Sequence, residues 1–227
     1  MKKQVRKKKK RIRLRYGAIL VFALFIYTCY YLIASIFNLS ITNIYVLKNE
    51  LLTDQEIIEM ADIDDYPSTF KNSSKKLEKR LEESLYIEDA KVYKKGFTQV
   101  YIEITENYPI FYYDSTMSTI LKDGESVTDE FIVPTLVNYV PDTLYNGFVS
   151  NMSKLDKNIL SKISEIKYDP NEVDDERFLL YMNDNNLVYL TLSKFSNINS
   201  YLDIVVNFEG KKGILYLDSG NYFEIIE

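Results

Sequence analysis

GAILVFALFIYTCYYLIASIF, residues 17–37, runs for 21 positions without a charge, an amide side chain or a proline. As a helix rising 1.5 Å per residue it reaches about 32 Å, enough to cross a hydrocarbon core of about 30 Å. Immediately before it, MKKQVRKKKKRIRLR carries ten Lys or Arg and no acid, and no charge follows the stretch until Lys48. Basic residues beside a span stay in the cytoplasm, which puts the tail inside and everything after Phe37 outside. A secretory signal peptide has a shorter apolar run and a small-residue cleavage site. Here the run is longer, and Ile33-Ala34-Ser35 suits such a site poorly. The chain therefore reads as a basic tail over 1–16, a retained span from Gly17 to Phe37 in the lipid bilayer, and an external body.

Charge divides along the same line. The net charge is −5, but the tail holds ten of the 28 basic residues, leaving 18 against all 33 acids in the body, a balance of −15. An acidic body is not a nucleic-acid binder, and the tail reads as a topology signal at anionic lipid. The sole cysteine, Cys29, lies in the span, so the body has no disulfide and depends on its core. There is no histidine. That removes Ser-His-Asp and Cys-His nucleophile arrangements and His-containing zinc sites. Chemistry based on Lys or on paired carboxylates survives on paper, and the expectation is a protein that is not an enzyme and holds no cofactor.

Working outward from the span, Ile41 to Val46 alternates apolar and polar as a half-buried strand does. Thr53 with Glu56 forms a capping box flanked by Leu52 and Ile57 as a hydrophobic staple, predicting a helix from Asp54 to about Ala61. Leu77, Leu81 and Leu85 mark one face of a second helix from about Ser74 to Leu85. Two strands follow, Ile87 to Tyr93 and Gln99 to Glu106, around Lys95-Gly96. The order β-α-α-β-β makes a three-stranded sheet covered on one face by two helices. The acids at Asp62, Asp64 and Asp65, and the run from Asp169 to Glu176, lack metal-ligand spacing and read as solvated loops, so no metal site is expected.

These residues resemble the POTRA domain of the FtsQ/DivIB group of bacterial cell-division proteins. The resemblance is carried by Ile44-Tyr45-Val46 before Asn49, the capped helix Leu52 to Ala61, the strand Ile87 to Tyr93, and Val100 to Ile110, a strand ending in an acid before Pro109. Three positions depart from the group's pattern: Lys48 stands where a Gly is usual, Gly96-Phe97 replaces a Trp-Pro pair, and Asn107 replaces an Arg. The resemblance implies an α+β protein with a POTRA domain over 38–108 and a C-terminal β domain over 109–227.

In that second part, Pro109 to Asp114 and Ser118 to Leu121 read as strands, and Asp123-Gly124 turns the latter into Ser126-Val127. Phe131 to Val137 resembles the group's apolar strand with Pro before Leu. Met152, Leu155, Ile159, Ile163 and Ile166 form one stripe and predict a helix over about 153–166. Arg177 to Met182 and Leu187 to Leu192 form a hairpin; Phe195, Ile198, Leu202, Val205 and Val206 share a helical face. Gly213 to Leu217 and Asn221 to Ile226 close the chain as a strand pair.

A sheet edge offers unpaired backbone groups to which a partner strand adds. The resemblance implies a divisome scaffold in the cell membrane at the division septum. In the group, the C-terminal β region engages small coiled-coil division proteins of the FtsL/DivIC (FtsB) type. That role falls here on Tyr216, Leu217, Tyr222 and Phe223; the bland alternative is that they finish the core. The rival from another class is a membrane-anchored cell-wall enzyme using two carboxylates.

Overall fold

The computed structural model describes residues 16–208 and 210–226. Apart from Tyr16, the basic tail lies outside them. Contacts divide the chain into two compact units. One comprises the described residues up to Leu47 with Asp54–Leu81 and Lys91–Glu103; the other comprises Lys48–Thr53, Glu82–Ala90 and Ile104 onward.

The apolar stretch is a single helix, α1 (Tyr16–Phe37), with no buried residue. Among the described residues it is the one helix long and apolar enough to cross a membrane. Next come β1 (Asn43–Leu47), α2 (Asp54–Met60), α3 (Ser74–Leu81), β2 (Ile87–Lys95) and β3 (Gln99–Glu106). β3 is central, hydrogen-bonded to β2 on one side and parallel to β1 on the other, with Ile44 opposite Val100 and Val46 opposite Ile102. Period-two alternation buries Val100 and Ile102, and the first unit's core is completed by Ile57, Leu77 and Leu81, all fully buried. Tyr45, Tyr101 and Tyr93 stack across the sheet's outer face at 4.6 and 5.2 Å. The Lys95 ammonium stands 4.4 Å from the centre of the Tyr101 ring. Lys48, at the position where the resemblance expects glycine, adopts a left-handed φ of 68°.

The second unit contains β4 (Pro109–Tyr113), β5 (Ser118–Leu121), β6 (Ser126–Val127), β7 (Thr135–Leu136), α4 (Asp142–Met152), α5 (Lys157–Leu160), β8 (Ile163–Tyr168), β9 (Arg177–Met182), β10 (Leu187–Thr191), α6 (Tyr201–Val205), β11 (Gly213–Tyr216) and β12 (Tyr222–Ile225). Among the described residues its sheet has nine strands, in the order β12-β11-β10-β9-β8-β7-β4-β5-β6. The core centres on Phe148, Phe178 and Phe195, fully buried, with ring centres 5.0 to 5.9 Å apart. Each such ring removed from water stabilises by about 1.5–3 kcal/mol. Glu106, at the end of β3, is also buried: its Oε1 accepts from the backbone N–H groups of Glu50, Leu51 and Leu52 at 2.8 to 3.0 Å, pinning that loop. Three backbone donors compensate the carboxylate for lost water.

Several expected elements take a different form. The stripe from Met152 to Ile166 is not one helix. α4 ends at Met152, α5 covers four residues, and Ile163 opens a strand. Ile163 and Ile166 are both buried, although a regular strand would put residues three apart on opposite faces. A register shift between Ile163 and Glu165 brings them together and so imitates a helical period. α4 itself gave little signal, because DTLYNGFVSNM mixes poor helix formers with a glycine.

Phe195 to Val206 is likewise not one α-helix: a 3-10 segment covers Leu192–Ser200 before α6. Residues three apart, Phe195, Ile198 and Tyr201, are buried, whereas Leu202 and Val206 are exposed. α3 stops at Leu81 and leaves Leu85 exposed. Only Thr135–Leu136 of the segment from Phe131 to Val137 pairs as strand, after Pro134, which has no N–H to donate.

Candidate partner-binding edge

The nine-stranded sheet ends on one side at β12, which pairs antiparallel with β11: Tyr216 opposite Tyr222, Leu215 opposite Phe223, Ile214 opposite Glu224 and Gly213 opposite Ile225. The Ile226 N–H donates to the Lys212 carbonyl at 2.8 Å. Backbone groups alternate along an antiparallel strand. Glu224 and Tyr222 therefore turn theirs toward β11, while Phe223 and Ile225 turn theirs outward. Among the described residues no strand lies beyond them.

Alternation also sorts the side chains. Leu215 and Leu217 are buried in the core, and Phe223 packs against it, its ring 4.3 Å from that of Phe208. On the opposite face Tyr216 stacks on Tyr222 at 4.6 Å, and its hydroxyl donates to Glu224 Oε2 at 3.0 Å. Burial and that carboxylate raise the Tyr216 hydroxyl above its ordinary pKa. The four residues singled out from sequence thus divide: Tyr216 and Tyr222 present rings to solvent, and Leu217 and Phe223 fasten the strand pair to the core.

Three groups that sequence reasoning missed complete the edge. Tyr189 on β10 stacks on Tyr216 at 5.6 Å, and the Arg177 guanidinium of β9 caps Tyr189 at 3.5 Å from its ring centre. A cation and three tyrosines therefore run across four strands to the rim. Arg177 Nε also donates to Asp218 Oδ2 at 2.9 Å, in the turn joining β11 and β12. Burial alone would raise the Asp218 carboxyl; hydrogen bonds from Arg177 and Ser219 outweigh it and hold the group below the usual carboxylate range. Finally Asn186, buried, accepts from the Gly213 N–H at 2.8 Å and donates to the Tyr201 hydroxyl at 2.9 Å. Tyr201 in turn donates to Asp184 Oδ2 at 2.7 Å, and its burial followed by this contact pushes its pKa far up. Pairs across strands depend on register, which no single strand's sequence displays.

Gly213 is required by the closeness of the pair. A Cβ there would lie 2.0 Å from the Glu224 carbonyl oxygen and 2.8 Å from the Phe223 ring.

Two concavities of this unit bear on carboxylate chemistry. A cleft of about 560 Å³ beside β4 and β5 is lined by hydroxyls of Ser115, Thr116, Ser118, Ser126 and Tyr139, with a single acid, Asp142. A groove of about 250 Å³ contains two acids, but Glu50 is ion-paired with Lys157 and Glu106 is engaged by three amides. Among the described residues no three His, Cys, Asp or Glu converge as metal ligands do.

Comparison with known proteins adds a further set of findings. Residues 39–107 match the family described as POTRA domain, FtsQ-type. The cell division protein DivIB of Listeria monocytogenes is 30% identical, with the alignment covering 97% of this chain and 86% of that one. The DivIB of Bacillus subtilis is 29% identical, over 98% and 87% respectively. The solved major extracytoplasmic domain of DivIB from Geobacillus stearothermophilus, in its trans isomer, aligns with 45% of this chain and 92% of its own. That alignment has a TM-score of 0.38 and 23% identity, too loose a match to argue from.

Proposed function

This chain belongs to the DivIB family of cell division proteins and serves the divisome as a scaffold, and we propose that it does so by accepting a partner's strand along β12. In this reading α1 is the anchor, residues 38–108 are the POTRA domain and 109–227 the partner-binding domain. The basic tail lies in the cytoplasm and the body outside, at the septum. The partners are membrane division proteins of the FtsL/DivIC (FtsB) type, and the protein holds them without turning over substrate.

The observation that carries the reading is the outward-facing backbone of Phe223 and Ile225 on a four-residue rim strand that is aromatic or aliphatic except at Glu224. An added strand pairs with those groups for affinity, and Tyr222 and Glu224 beside it supply side-chain selection. The rival reading as a wall enzyme using two carboxylates finds no support: in the two concavities described above the acids are either single or already engaged.

Proline at an outward-facing position removes a donor from the rim while sparing the bonds to β11. Ile225→Pro in the full chain therefore lowers capture of membrane division partners at least about tenfold, the equivalent of one lost hydrogen bond of roughly 1.4 kcal/mol. Ser126→Pro, at the outward-facing position of β6, leaves capture unchanged. Equal capture by both variants and the parent would refute strand addition at β12.

A further inference from the structure

The end of α1 is fastened to one loop of the first unit. The Ser68 hydroxyl donates to the Phe37 carbonyl, the Thr69 N–H to the Leu39 carbonyl at 2.9 Å, and the Ile41 N–H to the Pro67 carbonyl at 3.0 Å. Ser40 and Ser68 form an isolated antiparallel bridge. The loop is held in turn from β2, whose Lys94 ammonium donates to the carbonyls of Thr69 and Asn72. Partial burial lowers the pKa of that ammonium.

From this junction three phenyl rings stand in file. Phe37 lies 5.6 Å from Phe70, and Phe70 lies 6.2 Å from Phe97, at the turn between β2 and β3. None belongs to the core: they are 53, 38 and 67% exposed. Tyr66, in the same loop as Phe70, is 48% exposed. Neighbouring apolar rings left outside a core mark a surface with a partner.

We propose that Phe70 and Phe97 insert into the headgroup layer of the bilayer that α1 crosses, so that the first unit rests on the membrane and does not swing from a tether. The proposal rests on reading α1 as a membrane span. Its 22 residues reach about 33 Å, so Phe37 stands where the hydrocarbon core of about 30 Å ends. The headgroup layer adds roughly 5–7 Å on each side. A ring centred 5.6 Å from Phe37 is within that reach, and Phe97 is the next ring outward. Aromatic and aliphatic side chains bind lipid by burying apolar area at this depth. Charge contributes little: Asp64 and Asp65 in the loop offset Lys71 there and Lys95 beside the turn.

The chain has no tryptophan, so a single one introduced by substitution reports its own surroundings. The full chain carrying Phe97→Trp or Phe70→Trp is reconstituted in phosphatidylcholine vesicles, with and without lipid brominated at the acyl carbons nearest the headgroup. Phe25→Trp, within the span, reports insertion, and Leu47→Trp, at the far end of β1, reports the solvent-facing side. Both junction reporters are expected to emit to the blue of Leu47→Trp and to lose intensity to the brominated lipid, with added salt changing neither result. Circular dichroism of each variant matching the parent establishes that it is folded, and either junction reporter alone suffices. If both emit like Leu47→Trp while Phe25→Trp is quenched by lipid brominated deeper in the chain, the docking is wrong and the span stands. If Phe25→Trp is also unquenched, the span reading fails and the proposal falls with it. Quenching that disappears in salt overturns the apolar grip.

Discussion

The two rims of the nine-stranded sheet solve the same problem in opposite ways. At one rim β6 is two residues long, and the chain beyond it is folded back: the Thr119 hydroxyl donates to the Asp129 carbonyl and the Tyr86 hydroxyl to the Asp129 carboxylate. Burial, then that carboxylate, pushes the Tyr86 hydroxyl up to about 12, so it remains a donor at any physiological pH. At the other rim β12 has four residues, aromatic or aliphatic except Glu224, with the outward backbone of Phe223 and Ile225 uncovered by any strand among the described residues. Short, tied-down edges prevent pairing with other chains, whereas long apolar ones invite it. Under the proposed strand addition, β6 is the edge kept from pairing and β12 the edge a partner uses.

The contrast depends on β12 being held in place from one side only, and perturbations of that hold break it in order of size. Gly213→Ala drives a Cβ into the Glu224 carbonyl and should cost about 1–3 kcal/mol as an overpacking change. Hydrogen exchange on β11 and β12 should accelerate accordingly and partner capture should fall, with β5 and β6 unchanged. Asn186→Ala orphans the Gly213 N–H and one contact of the Tyr201 hydroxyl, at a cost of roughly 1–3 kcal/mol. Denaturant unfolding of the full chain would read that loss, while Asn186→Asp, which keeps the acceptor for Gly213, should recover part of it.

Tyr216→Ala removes the middle of the tyrosine file and should cost about 0.5–1.5 kcal/mol, with exchange protection lost first at β12. The smallest effect is on acidification. Because the Asp218 pKa is depressed in the folded chain, its contribution is full above the unfolded carboxylate value of about 3.9 and is lost as pH falls through the lower folded value. Amides of the β11–β12 turn should therefore lose protection, measured against their intrinsic exchange rates, only below about pH 4, and Asp218→Asn should remove that dependence.

How much of this was legible beforehand varies with the physics of each part. The long apolar helix α1 was plain, since 21 residues without a charge, an amide side chain or a proline contain little to interrupt it. Both strands of the β11–β12 pair, and the start of α2 at Asp54 behind its capping box, could be read from local pattern to within two residues. The region from Met152 to Ile166 could not, because a bulged strand reproduces the spacing of a helix face. Candidate residues at the rim were named from the terminal strand pattern together with the family resemblance. That Leu217 turns inward while Tyr216 turns outward follows from pairing with β10, and the file through Tyr189 to Arg177 follows from register across four strands. Those are relations between distant segments, and no window of sequence contains them.

Cysteine scanning along both rims tests the central claim most directly. In a Cys29→Ser background, which leaves no other thiol, a cysteine-linked photo-crosslinker is placed in turn at Tyr222, Glu224 and Ser126 of the full chain in its membrane. Strand addition predicts capture from Tyr222 and Glu224 but not from Ser126, with the attached partner residue moving two places between the first two positions, because neighbouring strands advance in step. Capture from Ser126 alone, or attachment to one fixed partner residue from both β12 positions, would contradict it.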